Sequence, residues 1–150
     1  MVEYYDKFGK EITEGSLVLS DSADGAYCGF IKTIDNIFHF CYAGGYCAYN
    51  QIYPLIEMNL STVQLLDVSL FNNQFHNCGN IRYCDDYGID IKEGMSIFIG
   101  DRTGGTGGPI EKKGSDLFFG ECSLSELFAP ERKKFYNIVV VYIPRKYLTY

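Results

Sequence analysis

The feature that most constrains this chain is a self-similarity. YYDKFGKEITEGSLVL, Tyr4 to Leu19, returns as YCDDYGIDIKEGMSIF, Tyr83 to Phe98, at an offset of 79. Tyr4/Tyr83, Asp6/Asp85, Gly9/Gly88, Ile12/Ile91, Glu14/Glu93 and Gly15/Gly94 coincide, and Phe8/Tyr87, Val18/Ile97 and Leu19/Phe98 match in apolar character. The same offset carries Gly29 to Gly108, Ile31 to Ile110 and Phe40 to Phe119. After a three-residue deletion the offset becomes 76, setting Pro54 on Pro130 and Ser61–Leu66 on Asn137–Tyr142. Three blocks in order define a tandem duplication, so the fold must be one that a unit of about 65 residues can make twice.

Each unit follows one plan. D-x-x-G is a turn: Asp bonds its own backbone and Gly takes positive φ. E-G then launches an alternating strand, SLVL or MSIF. A long loop follows, and then a pair of strands around a polar turn, Asp35-Asn36 or Gly114-Ser115. A short helical piece precedes a last β-rich strand. In the second unit Ser123 and Glu126 form a capping box, and Pro130 is expected to stop that helix. No long segment has helical periodicity. The expected fold is therefore mainly β, a tandem duplication of a small SH3-like β-barrel. The first repeat spans residues 1–66, the second 82–150, with an Asn-rich linker over 67–81. Cores of that size are marginal alone, which favours two copies packed together.

The block DKFGKEITEG resembles the D-x-x-G-K-E-I-x-x-G signature of YopX-like and related small phage proteins. The likeness covers Asp6–Leu19 and Asp85–Phe98, and departs from the family at Ser16 and Met95, where an acidic residue is usual. It implies an SH3-like fold and a phage or mobile-element origin. The motif marks a turn and a strand start, so it implies no catalytic residues.

Apolar residues make up 47% of the chain and charged residues 21%, the balance of a folded globular protein. No run approaches the roughly 18 apolar residues of a membrane span, and MVEYYDKFGKEITEG is unlike a secretory leader. The chain is thus expected in the cytoplasm, away from membranes. There Cys28, Cys41, Cys47, Cys78, Cys84 and Cys122 are free thiols; their even number would suit disulfides only had a leader been removed. Net charge is −6, all of it in the first half: residues 1–79 hold 3 Lys/Arg against 9 Asp/Glu, residues 80–150 hold 10 against 10. That balance argues against nucleic acid as a partner. Basic residues do cluster at Arg132, Lys133, Lys134, Arg145 and Lys146 among aromatic side chains, but a solvated strand edge accounts for them.

The stretch GDRTGGTGGPI, Gly100 to Ile110, raises the question of phosphate binding. A P-loop needs G-K-[ST] and a following helix, and a dinucleotide fingerprint needs the same helix. Here PIEKKGSDLFF continues as strand and turn. The loop is read as a mobile connector, with two functional alternatives: a backbone nest for an anion helped by Arg102, or a contact for a partner. In the repeat it matches DSADGAYC, the long loop of an SH3-like barrel. The candidate contact residues are therefore Asp21, Asp24 and Tyr27 in the first repeat, and Asp101, Arg102, Thr103, Gly104, Gly105, Thr106, Gly107 and Gly108 in the second.

H-x-C-x5-C occurs twice, as His39, Cys41, Cys47 and as His76, Cys78, Cys84. His39 and Cys41 share a strand face. Cys47 joins them only if the hairpin at Ala43-Gly44-Gly45 has a three-residue loop. Structural zinc ligands are usually spaced more closely, so no metal and no cofactor are assigned. No catalytic motif is present, and the chain is not expected to be an enzyme. The expected function is a non-catalytic binding protein of phage or mobile-element origin that engages or inhibits a host protein, as a monomer or a homodimer. The alternatives are sequestering of a nucleotide or other anion by the glycine loop, and a zinc-stabilised domain using His39, Cys41 and Cys47.

Overall fold

Both D-x-x-G motifs close into the same turn. Asp6 Oδ1 accepts from the amides of Phe8 (2.9 Å) and Lys10 (2.8 Å), and Asp85 Oδ1 from those of Tyr87 (2.9 Å) and Ile89 (2.8 Å). Gly9 and Gly88 follow with φ of 81° and 90°, a region that only glycine enters freely. The second carboxylate oxygen reaches far along the chain. Asp6 Oδ2 accepts from Leu65 N at 2.9 Å, and Asp85 Oδ2 from Val140 N at 2.8 Å. Each aspartate thus ties the opening turn of its half to that half's last strand.

This computed structural model describes residues 2–42, 52–66, 83–101 and 104–148; the expected linker 67–81 lies outside them. A small ribbon joins β1 (Tyr4–Tyr5) to β2 (Glu11–Ile12). The first half continues with β3 (Leu17–Asp21), β4 (Gly25–Ile34), β5 (Ile37–Tyr42), β6 (Ile52–Pro54) and β7 (Val63–Leu65). The second contributes β8 (Ser96–Asp101), β9 (Gly104–Lys113), β10 (Asp116–Phe119), β11 (Cys122–Ser123) and β12 (Asn137–Pro144). All pairings are antiparallel, and the sheet curls into a half-barrel. Its path is β11-β10-β9-β8-β12-β4-β3-β7, with β5 and β6 branching from β4. The chain is mainly β, as its periodicity predicts.

The two halves pair their strands in the same order: β7-β3-β4-β5-β6 and β12-β8-β9-β10-β11. The turns at Asp35-Asn36 (φ 52° and 64°) and Gly114-Ser115 (Gly114 φ 67°) close two-residue hairpins. In the last strands the register differs from the sequence alignment. Val18 pairs Leu65 where Ile97 pairs Val140, an offset of 75 rather than 76. VQLL and IVVVYI lack clean alternation, so nothing in the residues betrays a one-residue slip that would exchange the faces. Pro54 and Pro130 are not equivalent either. Pro54 ends β6 ahead of the 3-10 turn Leu55–Glu57, whereas Pro130 opens the helical turn Pro130–Lys133. The preceding helix, Leu124–Leu127, is capped by Ser123 Oγ and has ended before Pro130, which occupies a first-turn position that needs no N–H.

The expected long loops are a further correction. β4 and β9 each start at a glycine four residues earlier than the sequence suggests, at Gly25 and Gly104, so both loops are hairpins.

β3 and β4 are covered on both faces. Val18 and Ile31 pack with Ile12, Phe40, Leu55 and Val63 in the core of the first half. Leu19, Ala26 and Cys28 point the other way, into a core with Ile97, Ile110, Leu124, Ile138, Val140 and Ile143 of the second half. The halves also join through the backbone, with Tyr142, Ile143 and Pro144 of β12 paired to Tyr27, Ala26 and Gly25 of β4. Alternation on β4 therefore separates two cores instead of core from solvent.

The paired aspartates sit in unlike surroundings. Burial alone would raise the Asp6 carboxyl, but the amides of Leu65, Lys10 and Phe8 outweigh it and hold it below the usual carboxylate value. Burial dominates at Asp85 and pushes it up to about 6 despite the amides of Val140, Ile89 and Tyr87, with the Asp86 charge adding to the rise. Burial, and then the Asp85 charge, also push the Cys28 thiol up, so Cys28 stays a protonated core residue. The linkage signs are opposite. Stability from Asp6 is present above its unfolded value and lost as pH falls; stability linked to Asp85 is full below about pH 4 and lost as pH rises through about 6. Carboxyl-carbon NMR should show Asp85 titrating near 6 and Asp6 below its unfolded position. Asp85→Ala, which leaves the amides of Tyr87, Ile89 and Val140 without their acceptor, should cost about 3 kcal/mol or more by denaturant titration at pH 4.

Candidate functional site

The predicted contact residues fall on two hairpin tips, one between β3 and β4 and one between β8 and β9. These tips do not meet. β12 pairs Asn137 with Gly100 at one end and Pro144 with Gly25 at the other. The tips thus lie at opposite ends of an eight-residue strand, about 23 Å apart at an ordinary strand rise.

The first tip is held by the second half. Ser22 N and Oγ both donate to Gly25 O, at 2.8 and 3.0 Å. Arg145 Nη2 donates to the carbonyls of Ser22 (2.5 Å) and Gly25 (3.4 Å), and Arg145 N donates to Asp24 O (2.9 Å). Asp21 forms an ion pair with Lys7 at 2.8 Å. Tyr27 is exposed and leans on Tyr142, with ring centroids 5.1 Å apart. Burial, with the Asp24 charge next, raises the Tyr142 phenol. Gly25 permits this closeness, because a Cβ there would strike the Ile143 carbonyl and the Tyr142 ring. Of the predicted residues on this tip, Asp24 and Tyr27 face solvent, and Asp21 is committed to the fold.

The second tip carries the glycine stretch, and it is a strand. Arg102 and Thr103 lie outside the described residues. Gly104–Gly108 pairs with β8 from Asp101↔Gly104 to Ile97↔Gly108. Glycine is a poor strand former in the abstract, so the run reads as loop; its place here depends on close approach. A Cβ on Gly105 would strike the Ile99 carbonyl and come within 2.7 Å of Gly100 Cα and the Phe98 ring. Phe98 thus lies over a Gly100/Gly105 pair, and Phe119 lies 3.4 Å from the site of a Gly108 Cβ. The first half repeats the second of these contacts: Phe40 covers Gly29 so closely that a Cβ would overlap its ring.

The polarity of β9 follows from its hydrogen bonds. Ile110 N donates to Met95 O (2.7 Å), and Gly94 N donates to Ile110 O (2.9 Å). Ile110 therefore bonds toward β8, and with a period of two so do Gly104, Thr106 and Gly108. Gly105, Gly107 and Pro109 turn their backbones outward. Pro109 lacks an N–H on that outer side, where its absence costs the sheet nothing. β10 covers the outer side of β9 from Ile110 to Lys113 only. Among the described residues no strand pairs with the outer edge of Gly104–Pro109, and Gly104–Gly107 are exposed. This open edge is the feature that residue-by-residue reading misses; the signal for it was Pro109 directly after the glycines.

His39 and Cys41 do share a face of β5, with Cys41 buried and His39 Nδ1 2.8 Å from Ile37 O. Cys47, His76 and Cys78 lie outside the described residues. Cys84 donates to Asp90 Oδ1 at 3.0 Å. Among the described residues no three His, Cys, Asp or Glu side chains gather as a metal site, and no helix is long and apolar enough to cross a membrane.

No family model, curated protein or solved structure matches the chain. The chemistry of the site therefore rests on its own geometry.

Gly105→Ala should lower stability by about 2–3 kcal/mol, because backbone opposes its Cβ. Gly107→Ala, whose Cβ meets only the Ile97 carbonyl at 3.4 Å, should cost less than about 1 kcal/mol. Denaturant titration of the two variants checks the difference.

Proposed function

We propose that this protein is a tandem duplication of a small SH3-like unit, of phage or mobile-element origin. We read it as a non-catalytic cytoplasmic binding protein that engages or inhibits a host protein. The duplication reading is supported by equivalences finer than sequence identity. Both aspartates make the same three bonds, both halves share a pairing order, and both place a phenylalanine ring against a glycine of the facing strand. The binding reading is carried by one observation: the exposed arm Gly104–Gly107 presents backbone held in strand geometry with almost no side chain to shield it. Interfaces form readily on such surfaces, since an ordered backbone loses little entropy on association. Arg102 and Thr103 adjoin the arm in sequence and supply charge and hydroxyl to the contact.

The test is purification from the host, without chelator, followed by native mass spectrometry. The expected result is a stoichiometric complex with one host protein and no zinc or nucleotide mass on the chain. Recovery of that partner should fall at least tenfold in Arg102→Ala/Thr103→Ala at unchanged Tm. A zinc or nucleotide mass excess, or undiminished recovery with the double variant, overturns the reading.

A further inference from the structure

The internal junction between the halves shows what the outer edge of β9 accepts. In the first half the outward backbone of β4 at Gly25–Tyr27 is occupied by Tyr142, Ile143 and Pro144 of β12, running antiparallel. The offset of 79 maps Gly25, Ala26 and Tyr27 onto Gly104, Gly105 and Thr106. In both strands the residue after the opening glycine turns outward: Ala26 faces Ile143, and its counterpart Gly105 faces no strand among the described residues. Leu19, the neighbour of Ala26 in the shared core, corresponds to Phe98, whose ring lies against Gly105. One edge is thus filled by a strand, and its equivalent has no strand partner among the described residues.

We propose that the outer edge of β9, Gly104 to Pro109, binds an extended segment of a partner protein as an added antiparallel strand. Gly105 and Gly107 supply the backbone donors and acceptors, and Pro109 adds a carbonyl alone. A side chain opposite Gly105 meets no Cβ and packs beside Phe98, as Ile143 packs beside Leu19 and Ala26. The occupant is accordingly an uncharged, β-branched or aromatic sequence of the Tyr-Ile-Pro kind, recognised chiefly through its main chain. Unpaired edges are usually guarded by charged side chains. The Gly104–Pro109 stretch carries none, which suits an edge kept open for pairing. This inference rests on the binding reading of the same arm and specifies its mode.

A synthetic peptide with the sequence of residues 139–147, the strand end that fills the equivalent edge, is the probe. Titrated into the labelled full-length protein, it should shift the Gly105 and Gly107 amides saturably and slow their hydrogen exchange at least tenfold. Thr106 and Gly108, already bonded to β8, should change little in exchange. Gly107→Pro removes one outward N–H and should weaken binding at least tenfold. Gly107→Ala keeps that N–H and should stay within about threefold at similar Tm. Equal losses in the two variants overturn the proposal, as does a peptide effect that maps elsewhere. Gly105 and Gly107 amides protected before peptide is added would show that the chain itself fills the edge. Protection that grows with protein concentration would show that a second copy does; either result overturns a partner strand. A host protein still captured through Arg102 and Thr103, with no peptide effect at Gly105 and Gly107, would overturn strand addition and leave the binding reading standing.

Discussion

A buried carboxylate with three amide donors is the joint on which each half of this molecule is built. Asp6 and Asp85 each use one oxygen to shape a local turn and the other to hold a strand 59 or 55 residues away. A turn residue that did only the first task could be Asn or Ser. A carboxylate oxygen accepts without donating, so it suits a site where every neighbour is an N–H. Asp85 and Asp86 bond Val140 and Ile138 on the edge of β12 away from β8, and further along that strand Tyr142, Ile143 and Pro144 pair with β4. The local turn and the junction between halves are thus neighbours on one strand.

The second organising fact is that the halves share a core. β3 and β4 separate two apolar clusters, and the larger cluster contains residues from both halves. Two units of about 65 residues would each bury little surface alone. Using one face of the first half as a wall of the second offsets that limit. The aligned positions of the two halves also differ in surroundings: Leu19, Ala26 and Cys28 lie in the shared core, whereas Phe98 is buried in a separate small cluster with Val139 and Gly105 and Gly107 are exposed. Glycine at 105, aligned with Ala26, follows the same division, since the Ile99 carbonyl, the Gly100 backbone and the Phe98 ring occupy the space a side chain would need.

Much of this architecture was legible in the residues. Asp6 and Gly9 with Asp85 and Gly88, and the polar hairpin turns, rest on local chemistry that residue type reports directly. The β character follows from alternation in SLVL and MSIF. Two things were hidden. The register of the last strands depends on which of two apolar faces meets which core, and a strand buried on both sides carries no pattern to say so. The glycine stretch reads as a loop because propensity is averaged over contexts, whereas here Phe98 lying over Gly100 and Gly105 demands residues without side chains. The candidate site was legible only as a location. The self-similarity groups Asp21, Asp24 and Tyr27 with Gly104–Gly108, yet aligned positions in two halves need not be neighbours, and β12 sets them at its two ends.

The pairing of β12 with β4 has a consequence for the birth of the molecule. During synthesis the first half is complete by Leu65, but its β4 edge and the face formed by Leu19, Ala26 and Cys28 stay uncovered until Ile143 has left the ribosome. For nearly eighty residues of translation the short edge of β4 at Gly25–Tyr27 lacks its β12 partner beside an apolar face, a combination that can recruit a wrong neighbour. Closure of that edge and that face therefore waits on the last strand of the chain to be made.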